Sequence, residues 1–358
     1  MARSRICGIR IMAEKRTYHS RASRACRGLK LPVVRRAHLV PYEKFLRKIG
    51  APVDRYLERA KLPVRDEPTT EYMSNRGYFE FVGIAAREQG ILDLGFQACM
   101  RNGRSRLNPE LRARIERSPT LYQALRELTS LIRGDASHIR MGLSEEPDRV
   151  LFWQRSAPEA GPIGWEISEQ AVVGIAVDTV RLFAGARWSP RTVHCRSPFV
   201  PREGREHMPG TRMYGGGQAL TIPIPRRLLH LPPIYEPGRP GRPGDSPGYP
   251  EDLTTCLREV LKGYLRGGKA DLEFAAGLVG TTPRTLQRHL RESGAKFARI
   301  VEEARYQVAA ELLADPGTQI IDVAYAAGYS DPSNFSRAFR RMAGVSPTNY
   351  RTSLSGAK

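Results

Sequence analysis

The sequence lacks the features that mark secreted, membrane-spanning or disulfide-bonded proteins. Its five cysteines are scattered and form no Cys-x-x-Cys pair, which argues for a reducing compartment and against a disulfide scaffold. The longest apolar run, Ala171–Val177, ends at Asp178 and is too short to cross a membrane. The apolar stretch Ile6–Met12 is interrupted by Arg10 and is too short for the core of a signal peptide. We therefore expect a cytoplasmic protein without a membrane partner.

Motifs for catalysis and for cofactor binding are also missing. The chain contains no Gly-x-Ser-x-Gly and no His-Glu-x-x-His sequence, which argues against a nucleophile elbow and a zinc-protease helix. The run Gly215–Gly217 lacks the Lys-Ser or Lys-Thr pair of a phosphate-binding loop and is more typical of a turn. His194, Cys195 and His207 follow no zinc-ligand spacing. The sequence predicts no catalytic residue, no metal ion and no cofactor, so we do not expect an enzyme.

Acidic residues are scarce relative to basic ones. The chain has 57 Lys and Arg against 37 Asp and Glu, a net charge of +20, and its first 40 residues contain eleven basic residues and one acid. A surplus of this kind favours polyanionic partners, nucleic acid first. Residues 1–38 also show little apolar periodicity. We expect them to be a disordered basic arm, which either grips DNA or has no specific role.

Composition divides the rest of the chain into two domains and a linker. Residues 39–231 mix helical apolar patterns with short alternating stretches, such as 138–143 and 149–154, and predict one α+β domain. Residues 232–250 contain seven prolines and four glycines, a composition typical of a linker. Residues 251–358 return to dense helical patterning, so we expect an all-α domain that the linker isolates and that folds by itself.

The all-α region repeats itself at an offset of 49 residues. Each copy has a short apolar helix, a tight turn and a second helix. The second helices begin alike, with Thr282-Pro283 and Asp331-Pro332, because a Thr or Asp side chain caps free backbone N–H groups and proline has no N–H to leave unpaired. Matched residues of the two copies are Leu272 and Ile321, Ala275 and Ala324, Leu286 and Phe335, Arg288 and Arg337, Leu290 and Phe339, and Arg291 and Arg340.

The second helix of each copy combines an apolar face with a polar one. Leu286 and Leu290 in the first copy, like their counterparts in the second, are spaced to anchor the helix in a core. The outward residues are Arg284, Thr285, Gln287, Arg288 and Arg291 in the first copy, and Ser333, Asn334, Ser336, Arg337 and Arg340 in the second. Neither set contains an acid, and Arg, Gln, Asn and Ser read base edges or hold phosphates in the major groove. A merely solvated face is the alternative, but two matching copies favour a pair of helix-turn-helix motifs.

A stripe of apolar residues between the copies predicts a long connecting helix. Phe297, Ile300 and Val308 recur at helical spacing, and the Asp-Pro-Gly sequence at 315–317 stops the pattern. A helix over Phe297–Leu313 would be about 25 Å long. This is a stiff spacer of the size needed to place two recognition helices in neighbouring major grooves, roughly 34 Å apart.

These motifs resemble the DNA-binding domain of AraC/XylS-family transcriptional regulators. The resemblance covers about residues 255–352 and is carried by Arg284-Thr-Leu-Gln-Arg-His-Leu, by Glu311-Leu-Leu-Ala-Asp-Pro, by the run from Val323 to Arg341, and by Gly344-Val-Ser-Pro-Thr-Asn-Tyr-Arg. In that family the second helix of each motif reads DNA. The resemblance therefore implies DNA-reading roles for Arg284, Gln287 and Arg288, and for Ser333, Asn334 and Arg337.

Residues 40–230 resemble the arabinose-binding-like effector domain of one branch of that family. The similar segments are Ser118-Pro-Thr-Leu-Tyr-Gln-Ala-Leu and Ala219-Leu-Thr-Ile-Pro-Ile-Pro. The resemblance implies a sequence-specific transcriptional activator that responds to a small-molecule effector. Its implied partners are double-stranded promoter DNA, RNA polymerase and a second copy of the chain as a homodimer. The sequence does not identify the effector-binding residues.

Two other functions stay open at this point. One is a non-specific nucleic-acid-binding protein whose affinity comes from charge alone. The other is a DNA-repair methyltransferase that carries the same kind of DNA-binding domain. The methyltransferase would need clustered zinc-binding cysteines near its N-terminus, and Cys7 and Cys26 alone do not supply them.

Overall fold

The computed structural model describes residues 29–64, 71–100, 109–136, 139–156, 164–198, 206–234, 252–266 and 268–355. They form an N-terminal α+β domain and a helical C-terminal domain, which confirms the predicted fold class. The predicted linker at 232–250 lies almost entirely outside the described residues. Within the described ranges, no helix combines the length and the apolar composition needed to cross a bilayer.

The N-terminal domain mixes helices with short strands. Its helices are α1 (Val40–Lys48), α2 (Val53–Arg59), α3 (Asn75–Gln89), α4 (Leu94–Met100), α5 (Pro109–Glu116), α6 (Leu121–Asp135) and α7 (Gly164–Ala184). Its strands are β1 (Val33–Arg35), β2 (Tyr72–Ser74), β3 (Ile139–Glu145), β4 (Arg149–Ser156), β5 (Thr192–His194), β6 (Arg212–Tyr214) and β7 (Leu220–Pro225).

The larger sheet has five strands in the order β3-β4-β7-β5-β6. β3 and β4 form an antiparallel hairpin that pairs Ile139 with Ser156 and Glu145 with Val150, at the two stretches where alternating apolar residues predict strands. β7 pairs with β4 in antiparallel orientation, and β6 lies parallel to β5. Residues of this sheet and of the apolar helix α7 belong to one buried core.

A second, two-stranded sheet joins the two domains. β1 pairs antiparallel with β2, so that Val33 lies opposite Ser74 and Arg35 lies opposite Tyr72. Successive strand residues point to opposite faces of a sheet. Val34 accordingly lies in the core of the N-terminal domain, whereas Val33 and Tyr72 lie in a core that also contains residues of the C-terminal domain.

The position of β1 corrects the predicted arm. The expectation of disorder over residues 1–38 is wrong at its C-terminal end, because β1 and the 3-10 turn Arg36–His38 are folded. Leu31 and Val33 are at most 2% exposed. The basic composition of this stretch does not indicate a strand. The strand forms because the free energy gained by burying two aliphatic side chains exceeds the cost of ordering their polar neighbours. Residues 1–28 lie outside the described residues.

The C-terminal domain consists of helices. They are α8 (Leu253–Lys262), α9 (Leu272–Val279), α10 (Pro283–Glu292), α11 (Phe297–Leu313), α12 (Ile320–Ala326), α13 (Pro332–Ala343) and α14 (Pro347–Ser355). α9 with α10, and α12 with α13, form two helix-turn-helix motifs. The connecting helix α11 has the predicted bounds. It contributes Ile300 to the core of the first motif and Ala304 and Val308 to the core of the second.

The C-terminal domain is not isolated from the rest of the chain, contrary to the prediction. The core of the first motif contains Leu257 and Val260 of α8 together with Leu31, Val33 and Tyr72 of the N-terminal domain. The two-stranded sheet therefore covers part of the apolar face of α8, and α11 packs against the same helix. The composition of the linker suggests two independent domains. The suggestion fails because a flexible connection does not determine whether the two domains pack against each other.

This packing predicts different effects for two N-terminal deletions. Deleting residues 1–38 removes Leu31 and Val33, and each buried aliphatic side chain contributes about 1.5–3 kcal/mol. We expect the free energy of unfolding to fall by several kcal/mol, and to fall much less when only residues 1–28 are deleted, because that deletion keeps Leu31 and Val33. Urea denaturation of the full chain and of the two shortened chains measures the difference. Equal unfolding midpoints for the two shortened chains would contradict the assignment of β1 to the shared core.

Candidate nucleic-acid interface

The first recognition helix, α10, begins with the predicted cap. Thr282 Oγ1 accepts a hydrogen bond from the N–H of Thr285 at 3.2 Å, and Leu286 and Leu290 are almost fully buried. The turn before the helix is tight because Gly280 adopts a left-handed backbone conformation, with φ of 75°, which ends α9. Together, the cap and the two buried leucines fix which face of α10 points to solvent.

Four of the five residues predicted for the reading face of α10 are exposed. They are Arg284, Gln287, Arg288 and Arg291. Thr285 is half-buried, and its Oγ1 lies 2.9 Å from Thr282 Oγ1, so its hydroxyl contributes to the cap. The structure thus places three arginines and one glutamine together on one exposed face of the helix.

An acid that is not among the predicted outward residues, Glu292, lies at the edge of this face. Glu292 Oε1 lies 3.6 Å from Arg288 Nε, and both side chains are exposed, so the pair contributes little to stability. Its spacing of four residues could have indicated the contact from the sequence. A weak exposed pair of this kind is readily exchanged for a contact with DNA, so Glu292 does not prevent Arg288 from binding.

The second recognition helix, α13, has a stronger cap than the first. The two carboxylate oxygens of Asp331 accept hydrogen bonds from the N–H groups of Ser333 and Asn334 at 2.9 and 3.2 Å. On the opposite side of the helix, Phe335 and Phe339 are buried next to each other, with ring centroids 5.7 Å apart. α13 is therefore fixed at its start by the cap and along its length by two aromatic anchors.

The outward residues of α13 include a preformed pair. Ser333, Asn334, Arg337 and Arg340 are exposed, and Ser336 is half-buried. Arg337 Nη2 donates a hydrogen bond to Asn334 Oδ1 at 2.5 Å. This bond orients both side chains and leaves the amide N–H groups of Asn334 and other guanidinium N–H groups of Arg337 to donate to DNA. Side chains oriented in advance lose less conformational freedom when they bind.

Positive charge on the two faces is largely unpaired. Among the residues that the structure describes, Arg284, Arg291 and Arg340 have no carboxylate within ion-pairing distance. Arg341 differs from them, because its Nη2 lies 2.6 Å from Glu302 Oε1 of α11. The unpaired arginines are available to phosphates, while Arg341 ties α13 to the connecting helix.

Side chains of α11 contact other helices of the C-terminal domain. Glu303 of α11 accepts a hydrogen bond at 3.2 Å from Arg258 of α8, a helix whose apolar residues lie in the core of the first motif. Further along α11, the guanidinium of Arg305 lies 4.8 Å from the ring centroid of Tyr329, which belongs to the second motif, a cation–π geometry. Since α11 also contributes residues to the cores of both motifs, this one helix connects the two recognition helices.

The residues considered for a zinc site have other roles in the N-terminal domain. The ring of His194 stacks on Tyr214, with centroids 5.0 Å apart. Burial raises the pKa of the Cys195 thiol to about 12, and the carbonyl of His207 accepts a hydrogen bond from Arg181. In the part of the chain that the structure describes, no group of three His, Cys, Asp or Glu residues is arranged to hold a metal ion.

Known proteins are similar to parts of this chain. The family described as helix-turn-helix domain matches residues 275–353. The HTH-type transcriptional regulator VirS of Mycobacterium tuberculosis is 25% identical over 333 residues, which cover 89% of this chain and 96% of that protein. The ornithine utilization regulator of Pseudomonas aeruginosa is 35% identical over 101 residues, which cover 28% of this chain and 30% of that protein. The crystal structure of transcriptional regulator CdpR from Pseudomonas aeruginosa covers 88% of this chain and 98% of that chain, with 17% identity and a TM-score of 0.40. The matched residues 275–353 include both recognition helices.

Proposed function

We propose that this chain is a DNA-binding transcriptional regulator of the AraC type, and that both of its recognition helices read promoter DNA under the control of the N-terminal domain. The observation that carries this proposal is the pair of capped helices α10 and α13. Each has a buried apolar anchor and an exposed face of Arg, Gln, Asn or Ser residues.

The chemistry of these faces supports base reading in the major groove. Arg288 and Gln287 can each form paired hydrogen bonds, Arg with guanine and Gln with adenine. Arg284, Arg291 and Arg340 can neutralise phosphates on either side of the groove, which positions a protein without selecting a sequence. In the proposed division, bases are selected by Gln287, Arg288, Asn334 and Arg337. Affinity is provided by the outer arginines Arg284, Arg291 and Arg340.

The N-terminal domain is proposed to sense a small molecule and to support a homodimer. An α+β domain of this size, packed directly against the first motif, is placed to change how α10 meets DNA. We further propose that the chain is an activator that acts on RNA polymerase at bacterial promoters and therefore works in the cytoplasm. The proposal gives the chain no catalytic activity and no cofactor.

Binding selectivity separates this function from the two alternatives. A promoter-specific regulator retains one site in a large excess of random competitor DNA, because specific sites exceed non-specific ones by about 10³–10⁷ in affinity. Loss of all binding under the same competition supports a charge-driven binder instead. Transfer of a methyl group from alkylated DNA to the protein would support the methyltransferase. For that function, Cys99, Cys195 and Cys256 are poor acceptors because all three are buried.

The basic arm is expected to affect affinity without affecting site choice. Residues 1–28 contain eight basic residues and one acid, and we expect charges on such an arm to meet phosphates only. Deleting residues 1–28 should reduce the dependence of DNA binding on salt concentration, by about 0.9 in log–log slope for each phosphate that the arm neutralises. Fluorescence anisotropy over a salt series measures the slope, and a selected-site motif that changes after the deletion would contradict the prediction.

A further inference from the structure

A cavity of about 640 Å³ lies where the N-terminal domain meets the first helix-turn-helix motif. One side is formed by the end of α2 and the start of α3, and the other side by α9 and the turn that follows it. Small-molecule sites commonly have volumes of about 300–1,000 Å³ and occur between domains. The cavity is therefore of the right size and in the right place for a ligand that both domains contact.

The two sides of the cavity carry net charges of opposite sign. The basic wall, on the N-terminal domain, contains Arg59, Lys61 and Arg76 together with one acid, Glu80, and the acidic wall consists of Asp271, the cap of α9, and Glu273 of α9. Arg59 is already paired with Glu88. The remaining cations, Lys61 and Arg76, form no ion pair with the acidic wall or with another carboxylate among the described residues. Opposite charges thus face the same cavity without neutralising each other directly.

The backbone that presents the basic wall is held in place. Lys61 adopts a left-handed conformation with φ of 55°, which is unfavourable for a residue with a side chain. Its carbonyl oxygen accepts a hydrogen bond from the Tyr264 hydroxyl at 2.6 Å. A Cβ atom at Gly77 would lie only 3.1 Å from the carbonyl oxygen of Ala60, so α3 packs closely on the end of α2. The wall is a fixed surface that the C-terminal domain itself helps to position.

The acidic wall leaves room for a ligand. Gly277 lines the cavity, and a Cβ atom at this position would meet no atom within 4 Å. The matching residue of the second motif, 49 positions later, is Ala326. Asp271 caps α9 by accepting a hydrogen bond from the N–H of Phe274 at 2.7 Å. The carboxylate of Glu273 has no such backbone partner among the described residues.

We propose that this cavity is the effector site and that it takes a small zwitterion, such as an α-amino acid. The carboxylate of the ligand meets Lys61 and Arg76, and its ammonium group meets Asp271 and Glu273. A molecule with one charge satisfies a single wall and leaves the other unpaired, whereas a zwitterion satisfies both. This inference rests on the proposed sensing role of the N-terminal domain and assigns that role a site and a ligand class.

Ligand binding at this cavity would act directly on the first reader. α9 carries the acidic wall, and Gly280 at its end leads within two residues to Thr282, the cap of α10. A zwitterion that draws the two walls together fixes α9 and α10 against the N-terminal domain. The lining of the cavity includes no residue of the second motif, so the ligand would act on the first recognition helix directly and on the second only through α11.

Calorimetric titration of the full chain tests the ligand class. The probes are glycine, alanine, glutamate, lysine and ornithine as zwitterions, with butyrate and butylamine as singly charged controls. At least one zwitterion should bind saturably, and both controls should bind at least about 10-fold more weakly, a difference of about 1.4 kcal/mol. Equal binding of a singly charged control, or no binding by any zwitterion, overturns the proposal.

Matched substitutions test the site. Arg76→Ala and Glu273→Gln should each weaken zwitterion binding at least about 10-fold. Arg87→Ala, which removes an exposed arginine from the same helix α3, and Asp322→Asn, at the position of the second motif that matches Glu273, should leave it unchanged. Binding that survives both wall substitutions, or that is lost equally in the controls, overturns the assignment of the site.

A cavity-filling variant tests the site without removing a charge. Gly277→Leu should abolish zwitterion binding by occupying the cavity, while Gly277→Ala should largely retain it. DNA binding without ligand is measured on the same variants and shows that they are folded. If the wild-type chain selects promoter DNA but binds no zwitterion, the cavity proposal alone fails. If the wild-type chain selects no DNA, the proposed function fails.

Discussion

Replacement of Phe335 with alanine is expected to lower the free energy of unfolding by about 3–5 kcal/mol and to remove one of two blocks of DNA contact. Phe335 is 1% exposed, and its ring centroid lies 5.6 Å from that of Tyr329 and 5.7 Å from that of Phe339. The core of the second motif is small, so one missing aromatic side chain leaves a cavity that its neighbours cannot fill. The loss is comparable to a large part of the stability of a typical domain.

Urea unfolding and footprinting on the same DNA separate the two consequences. Leu354→Ala removes an exposed apolar side chain from α14 and should leave both measurements nearly unchanged. Leu286→Ala is the counterpart in the first motif and should cost about 2–5 kcal/mol and affect the other block. The first motif keeps its support from Val33 and Tyr72. Loss of protection in both blocks from Phe335→Ala alone would contradict two separate readers.

Replacement of Arg288 with alanine is expected to relax base preference in one block of the DNA site. Arg288 is exposed on the reading face of α10, and a good paired contact with guanine discriminates between bases by about 1–3 kcal/mol. Arg340→Ala is expected to weaken binding to every sequence and to reduce the salt slope by about 1, since an outer arginine contacts phosphate. The first motif should therefore dominate specificity, while the shorter side chains Ser333 and Ser336 make the second mainly an anchor.

Selection of sites from random DNA measures this division of labour. The motif selected by Arg288→Ala should lose information in one block only, and the motif selected by Arg340→Ala should match that of the wild type. Arg341→Ala is a useful control, because that arginine is paired with Glu302 and is expected to affect the packing of α13 rather than the motif. Equal loss of preference in both blocks from either substitution would refute the asymmetry.

The C-terminal domain could be predicted in detail because its signals are local. Thr282-Pro283 and Asp331-Pro332 mark helix starts through caps that the structure confirms. The apolar stripe between the motifs predicts α11 with its bounds, Phe297–Leu313. Caps and i,i+4 anchors depend on residues within one or two helical turns of each other, so the sequence alone is sufficient to identify them.

The contact between the domains could not be predicted, because it depends on residues far apart in the chain. β1 and β2 are three residues long and lie on either side of α1 and α2, and neither is long enough to show an alternating pattern. The apolar face of α8 predicts burial but not which surface covers it. The cavity could not be predicted for the same reason, because its walls come from α2, α3 and α9.

The reading faces could be predicted in part. The sequence predicts which ten residues point outward, and the structure exposes eight of them and half-buries Thr285 and Ser336. Thr285 is an exception because its hydroxyl takes part in the cap of its own helix. The hydrogen bond between Arg337 and Asn334 was not predicted, because side-chain orientation depends on rotamers that spacing does not determine. The roles of these residues on DNA stay predictions.

Site selection with the full-length chain, from a random DNA library and in excess competitor, tests the central claim most directly. Two unlike motifs on one rigid helix predict a non-palindromic site of two different blocks, about one helical turn or roughly 10 base pairs apart. Inserting about five base pairs between the blocks should place them on opposite sides of the duplex and abolish specific binding by one protomer. A library that yields no enriched motif, or a single block whose binding is indifferent to the insertion, would contradict the account.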